Sequence, residues 1–211
     1  MLLEDKVAFI TGGGSGIGEA TAKLFASEGA NVIITDIDDV SGERVSNEIG
    51  SKATYLKCDV TNEEDVLAVI NEITKTHSRI DCAVNNAGIT GNPSNIEDTT
   101  YDNWFKVIHV NLTGVFFCLK HEITQMIKQG SGSIVNVSSG AGLIAVPSMA
   151  AYCASKHALL GLTKTAATEN LSRGIRVNSV LPGSTKTPLL DQALNMSEGM
   201  EEIILNSIPS G

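Results

Sequence analysis

Short apolar runs alternate along this chain with longer helical patterns. The short runs Lys6–Thr11, Asn31–Asp36, Thr54–Asp59, Ile80–Asn85, Gly132–Ser138 and Ile175–Leu181 predict strands. Between them, helices are predicted near Ile17–Glu28, Gly42–Ile49, Glu63–Thr76, Tyr101–Lys128 and Ala151–Asn170. The third helix carries its own start signal: Thr61-Asn62-Glu63-Glu64 offers an N-cap followed by first-turn carboxylates. Strand–helix alternation of this kind predicts an α/β fold, a doubly wound parallel sheet covered by helices on both faces. No repeat, low-complexity run or linker interrupts it before residue 180, so a single domain is expected over 1–211.

From Pro182 the pattern breaks into Pro-Gly-Ser-Thr-Lys-Thr-Pro, then an apolar–acidic stretch ending in Ile-Pro-Ser-Gly. Residues 184–211 are therefore expected to form a loop and helix segment on the substrate side. With only six strand candidates before that segment, the chain is expected to be truncated, its C-terminal strand missing.

The first strand runs directly into Gly12-Gly13-Gly14-Ser15-Gly16-Ile17-Gly18 and then a helix. Such a turn lets backbone approach a pyrophosphate at the positive end of a helix. The spacing is Gly12-xxx-Gly16-x-Gly18 rather than GxGxxG. The second strand ends in Asp36, eighteen residues beyond Gly18, where a dinucleotide fold places its ribose reader. A carboxylate there accepts from the adenosine ribose hydroxyls and repels a 2′-phosphate. Neither Ser15 nor Ile37 is basic, so NAD is favoured over NADP.

Composition narrows the function classes. A formal net charge of −9 leaves nothing to neutralise phosphates in bulk, so no nucleic-acid partner is expected. No apolar stretch is long enough to span a bilayer, and the start Met-Leu-Leu-Glu-Asp-Lys does not read as a signal peptide. Cys58, Cys82, Cys118 and Cys153 lack CxxC spacing and suit reduced, buried thiols in a cytoplasmic protein. The four histidines show no ligand spacing, so no metal is expected.

Thr11-Gly12-xxx-Gly16-Ile17-Gly18, Asn85-Asn86-Ala87-Gly88, Ser139, Tyr152-xxx-Lys156 and Pro182-Gly183 occur in that order. Through essentially the whole chain this resembles the compact branch of the short-chain dehydrogenase/reductase family. The resemblance implies a Rossmann fold and NAD-dependent interconversion of a secondary alcohol and a ketone. It implies that Gly12, Ser15, Gly16, Ile17 and Gly18 line the pyrophosphate, with Asp36 on the adenosine ribose. Asp59 and Val60 would meet the adenine, Asn86, Ala87 and Gly88 would support the cofactor, and Val110 would lie behind it. Pro182, Gly183, Thr185 and Thr187 would touch nicotinamide, although relatives usually carry an aliphatic residue at the position of Thr185. The catalytic set it implies is Asn111, Ser139, Tyr152 and Lys156, the asparagine opening its helix to seat a water leading to the lysine. Relatives also continue into a further helix and a seventh strand, and pair two long helices across a two-fold axis.

The chemistry of that set follows from its residue types. A free tyrosine ionises near pH ~10, too high for a base at neutral pH. Tyr152 and Lys156 are four apart and share one helix face. A lysine ammonium and an oxidised nicotinamide, both cationic, would depress the phenol. Tyr152 is then general base in oxidation and general acid in reduction, with Tyr152 and Lys156 also touching the cofactor. Ser139 ends its strand ready to hold the substrate oxygen; Asn136 and Ser138 are polar alternatives, and family spacing favours Ser139. His109 and His157 read as structural.

Two other readings compete. One is an NADP-linked 3-oxoacyl carrier-protein reductase, against which Asp36 counts. The other is a dinucleotide-binding regulator without chemistry, against which the set Ser139, Tyr152 and Lys156 counts. Substrate choice should lie in the loop after Ser139, the segment after Asn86 and the tail after Pro182. Leu143, Val146, Met149, Leu189 and Leu190 lie near the expected mouth. Surplus apolar positions in the two long helices, among them Phe105, Val115, Phe116, Phe117, Leu159, Leu160 and Leu162, predict a homodimer or homotetramer.

Overall fold

The computed structural model describes residues 1–195. Six strands form one sheet: β1 (Val7–Thr11), β2 (Asn31–Asp36), β3 (Ala53–Lys57), β4 (Cys82–Asn85), β5 (Gly132–Val137) and β6 (Ile175–Val180). Every pairing is parallel and the order is β3-β2-β1-β4-β5-β6, so the winding reverses between β1 and β4. The helices are α1 (Gly16–Ser27), α2 (Asp39–Ile49), α3 (Glu63–His77), α4 (Tyr101–Ile108), α5 (Val115–Gln129), α6 (Ala150–Asn170) and α7 (Pro188–Asn195). This is the expected doubly wound fold.

Alternation along β1 shows why both faces are covered. Phe9 enters a core with Ile70, Leu119 and Leu159 from α3, α5 and α6, while Ala8 and Ile10 enter another with Ala22 and Val45 from α1 and α2. A strand buried on both faces needs apolar residues at successive positions, which is why β1 and β2 read as continuous runs. Ile34 is fully buried in the second core, so truncating it to alanine costs about 2–5 kcal/mol.

Three sequence expectations are corrected. Helix α2 begins at Asp39, not Gly42, because the Asp38 carboxylate accepts from Val40 N at 3.1 Å and caps it early. The third strand ends at Lys57, short of Asp59. The helix expected over Tyr101–Lys128 is two helices, α4 and α5, joined by a π-helical turn at His109–Gly114. At the start of α3, Asn62 caps Glu64 N at 3.0 Å as its sequence suggested.

Burial also separates core from surplus. Val115 and Leu159 are buried, and Phe117 and Leu162 pack against the core, so these four are not spare surface. Phe105 and Phe116 remain about half exposed, joined by Tyr101 and Trp104. All four cysteines are free; Cys58 and Cys118 are buried, whereas Cys82 and Cys153 are only partly so. No helix among the described residues is long and apolar enough to cross a membrane. The segment 184–211 is described only to residue 195, and the rest of it lies outside the described residues.

Candidate active site

At the switch point between β1 and β4 the backbone is tied into a rigid turn. Buried Thr11 accepts from Asn86 N and Ala87 N through Oγ1, at 3.1 and 3.2 Å. Asn86 Nδ2 donates to Thr11 O and Gly12 O, at 3.1 and 2.8 Å. Gly12 sits at φ +63°, and a Cβ there would stand 2.7 Å from Ala87 Cα. Gly16 also has positive φ, at +53°. A Cβ on Gly18 would collide with Gly12 O. Ser15 is the N-cap of α1, yet its side chain makes no capping bond, so the amides opening the helix keep their donors for another anion. The cradle fits a pyrophosphate: it has free amides and no room for side chains.

The carboxylate expected to read the ribose lies beside it. Asp36, at the end of β2, accepts from Gly14 N at 2.9 Å and from Asp38 N at 3.1 Å. Each carboxylate oxygen keeps capacity for a further donor. Sequence reasoning missed Arg44, which reaches back from α2 to Gly14 O at 3.0 Å. It is also bound to Glu19 at 2.7 Å and Glu48 at 2.9 Å. That guanidinium, hydrogen-bonded to Glu19 and assisted by Lys23, holds the Glu19 carboxyl down at about 2. The i,i+4 spacing to Glu48 was visible in the sequence, but the reach to Gly14 was not.

Past β3, Asp59 Oδ1 accepts from Thr61 N and Oγ1 at 2.9 and 2.7 Å, and Val60 is buried. Gly114 of the π-turn packs on Val60; a Cβ there would stand 2.8 Å from Val60 Cγ2. Val110 packs against the core cluster that includes Val60. Pro182 O accepts from Gly140 N at 2.9 Å, which pins the tail to the loop after β5. Thr185 is exposed, while Thr187 comes over the glycine turn, its Cβ within 3.3 Å of where a Gly16 side chain would begin.

The catalytic candidates converge at the same carboxyl edge. Ser139 follows β5 and caps a short 3₁₀ turn through Oγ, accepting from Ala141 N at 3.1 Å. It also neighbours Tyr152, whose ionisation its side chain favours. Ser138 is buried and donates to Lys156 O at 2.9 Å, and Asn136 is spent in the core, so neither alternative faces the cleft. Asn111 is fully buried and clasps Ile89, accepting from its N and donating to its O, both at 2.8 Å. It thus sits in the π-turn and holds the segment after Gly88. Where Gly88 would carry a Cβ, Asn111 Oδ1 and Lys156 Nζ lie 3.2 and 3.6 Å away.

Lys156 Nζ donates to Val137 O at 2.8 Å and lies 5.7 Å from the Tyr152 ring centroid. Burial pulls its ammonium down to about 8. Burial likewise pushes the Tyr152 phenol above its ordinary value, and the neighbouring Ser139 side chain only partly opposes this. The expected depression of the phenol is therefore not a property of the chain alone, because the lysine sits over the ring instead of against the hydroxyl. Just before α6, Ser148 adopts a left-handed φ of +62°, held where its O accepts from Ser94 N at 2.9 Å. This strap ties the segment after Asn86 to the start of the helix that carries Tyr152. His109 stacks on Phe105 with ring centroids 5.1 Å apart, and His157 Nδ1 lies 2.9 Å from Cys153 O. Among the described residues no cluster could hold a metal ion.

A family model described as short chain dehydrogenase matches residues 6–198. The chain belongs to the short-chain dehydrogenase family. It is 42% identical over 207 residues to a 2,5-dichloro-2,5-cyclohexadiene-1,4-diol dehydrogenase of Sphingobium indicum, covering 98% of this chain and 82% of that one. Among solved structures, levodione reductase superposes with a TM-score of 0.92 at 34% identity, over 96% of this chain and 81% of that one. An NAD+-bound xylitol dehydrogenase gives 0.85 at 38% identity, over 87% and 72%. As a short-chain dehydrogenase the protein is an oxidoreductase of CH–OH groups that uses a dinucleotide cofactor.

Proposed function

We propose that this short-chain dehydrogenase interconverts a secondary alcohol and a ketone with NAD, using Ser139, Tyr152 and Lys156 at the reacting carbon and Asn111 behind them. The observation that carries the reading is the convergence of three side chains, with Ser139 beside Tyr152 and Lys156 Nζ over the Tyr152 ring, 5.7 Å from its centroid. When bound, the nicotinamide ring supplies the hydride acceptor in oxidation and the donor in reduction. Ser139 donates to the substrate oxygen and holds it against Tyr152. In oxidation the Tyr152 phenolate takes the hydroxyl proton as the carbonyl forms; in reduction the phenol returns it. Lys156 supplies the positive charge that this phenolate needs and donates to the nicotinamide ribose.

The remaining cofactor contacts are assigned as follows. Gly12, Ser15, Gly16, Ile17 and Gly18 receive the pyrophosphate, Asp36 the adenosine ribose, and Asp59, Val60 and Val110 the adenine side. Asn86, Ala87 and Gly88 support the middle of the cofactor, and Pro182, Gly183, Thr185 and Thr187 its nicotinamide end. Preference for NAD rests on Asp36 and on Arg44, the nearby guanidinium, being already paired with two carboxylates. The substrate is a cyclic or otherwise apolar alcohol. Exposed Leu143 and Ile144 at the mouth support this, as does the cyclohexadiene-diol named for the Sphingobium dehydrogenase. A cytoplasmic protein with reduced thiols, made as one domain and paired through α4–α6, completes the reading.

The test is Tyr152→Phe. Turnover of a cyclic secondary alcohol with NAD should fall by at least about 10²-fold, the scale of a lost general acid–base, while NAD affinity is retained. Undiminished turnover would remove Tyr152 from the role.

A further inference from the structure

Away from the cleft, beneath the carboxyl half of the sheet, four neutral or neutralisable side chains from four elements form a buried chain. Thr163 of α6 donates to Leu159 O at 2.7 Å, so its oxygen accepts from Asn136 Nδ2 of β5 at 2.9 Å. That fixes Asn136 Oδ1 as the acceptor facing β4, where Asn85 Nδ2 donates to it at 3.0 Å. The same Asn85 Nδ2 donates to Glu122 Oε2 of α5 at 3.0 Å. All four residues are buried, Glu122 completely. With every orientation set by this relay, two buried side-chain atoms among the described residues are left without a partner: Glu122 Oε1 and Asn85 Oδ1. They are the second polar atom of each of the two groups that already share one bond. Two bare acceptors buried together are costly, whereas one added proton turns them into a donor and an acceptor.

We infer that Glu122 is a neutral carboxylic acid whose Oε1 proton is donated to Asn85 Oδ1, and that this acid–amide pair makes Glu122 a positioning residue for the active site. Through Asn85 it steadies the strand end that continues into Asn86, the residue clasping Gly12 O. Asn136 and Thr163 carry the link to Ser139, three residues on, and to α6, where Lys156 and Tyr152 lie two and three turns away along the helix.

The surroundings leave the carboxyl no cation to pair with. Across from it, β4 presents Asn85, β5 Asn136 and α6 Thr163, all neutral, while Lys156 Nζ is committed to Val137 O. On β6, Ile175 and Val177 face this core, and Arg176 is held outside by Ser133. On its own helix, Cys118 one turn back is a buried thiol kept neutral by desolvation. Lys120 and His121 turn outward to Glu63 of α3. Burial accordingly pushes the Glu122 carboxyl up to about 8, against a small opposing pull from Asn85.

Sign and window follow. The folded chain keeps a proton that the unfolded chain releases above 4.5, so between there and about 8 stability falls as pH rises. The unfolding constant therefore gains about tenfold per pH unit from this one group. Glu122→Gln supplies an amide that donates to Asn85 Oδ1 and accepts from Asn85 Nδ2 at any pH; Glu122→Met supplies neither.

The experiment uses the whole chain without cofactor. Infrared spectra with 13C-labelled glutamate should show a protonated-carboxyl band at pH 7 that disappears at alkaline pH and is missing from Glu122→Gln. Denaturant unfolding from pH 5 to 8 should show the tenfold-per-unit component in the parent and its absence in Glu122→Gln. Glu122→Met should lower kcat more than KM changes, and Glu122→Gln should recover most of that loss. The spectrum of the parent decides the matter even where a variant fails to fold, since among the described residues Glu122 alone of the labelled glutamates is buried. Absence of the band at pH 7, or a Glu122→Gln protein as impaired as Glu122→Met, would overturn the inference. Because the spectrum needs neither cofactor nor substrate, its failure is distinct from a failure of the proposed reaction.

Discussion

Replacing Gly18 by alanine adds one methyl group where α1 crosses the end of β1. Gly18 has ordinary helical backbone, so conformational strain is not the issue. Helix propensity by itself predicts a gain of about 0.8–1 kcal/mol from the change. Sterics predict the opposite. The new carbon would collide with Gly12 O and stand 2.6 Å from Asn86 Nδ2. Neither neighbour can retreat: Gly12 O is backbone held by Asn86 at 2.8 Å, and Gly12 itself abuts Ala87. Overpacking at a site that cannot relax costs about 1–3 kcal/mol, so the net should be a loss of up to about 2 kcal/mol. The displaced turn should also weaken dinucleotide binding at least about tenfold, equivalent to 1.4 kcal/mol. Urea unfolding with and without NAD, and a fluorescence titration with NADH, measure both quantities. A Gly18→Ala protein as stable as its parent, binding NADH with the same affinity, would refute the cradle as described.

Other consequences are as concrete. Asp36→Ala should narrow the preference for NAD over NADP by removing the repulsion at the 2′-position, read as the ratio of the two dissociation constants; an unchanged ratio would reassign the ribose site. Lys156→Met should abolish turnover yet raise stability at pH 7 by about 1–2 kcal/mol, because a buried ammonium depressed to about 8 is destabilising. The sign extends to pH: between about 8 and 10.5 the unfolded parent holds the extra proton, so parent stability rises there and the advantage of Lys156→Met shrinks. Sedimentation at micromolar concentration should show a dimer that Phe105→Glu with Phe116→Glu dissociates, since both rings are about half exposed on α4 and α5; a monomeric parent would end the pairing proposal.

The sheet was legible because its signals are local. A parallel strand covered on both faces must be apolar at successive positions, as β1 and β2 are, and six short runs separated by helical patterns leave few other topologies. The glycine turn was legible for a related reason: backbone that must approach other backbone excludes Cβ atoms, and the sequence records that exclusion directly at Gly12, Gly16 and Gly18. Even the asparagine at 111 announced a disturbance in its helix, although the extent of the π-turn did not follow from it.

What the tertiary structure decided were pairings between residues far apart in the chain. Sequence spacing could place Tyr152 and Lys156 on one helix face, but only packing set Lys156 over the ring and onto Val137 O. Burial then displaced both titration values, a desolvation effect that depends on every surrounding element. Packing likewise sent Ser138 inward and Ser139 outward, brought Arg44 to Gly14, and closed Glu122 against Asn85. Apolar pattern and backbone exclusion are written residue by residue, so the sequence alone determines the fold and the glycine turn at its switch point. Charge state and hydrogen-bond partnership are properties of an environment assembled from four or five separate segments, and these exist only once the chain has folded.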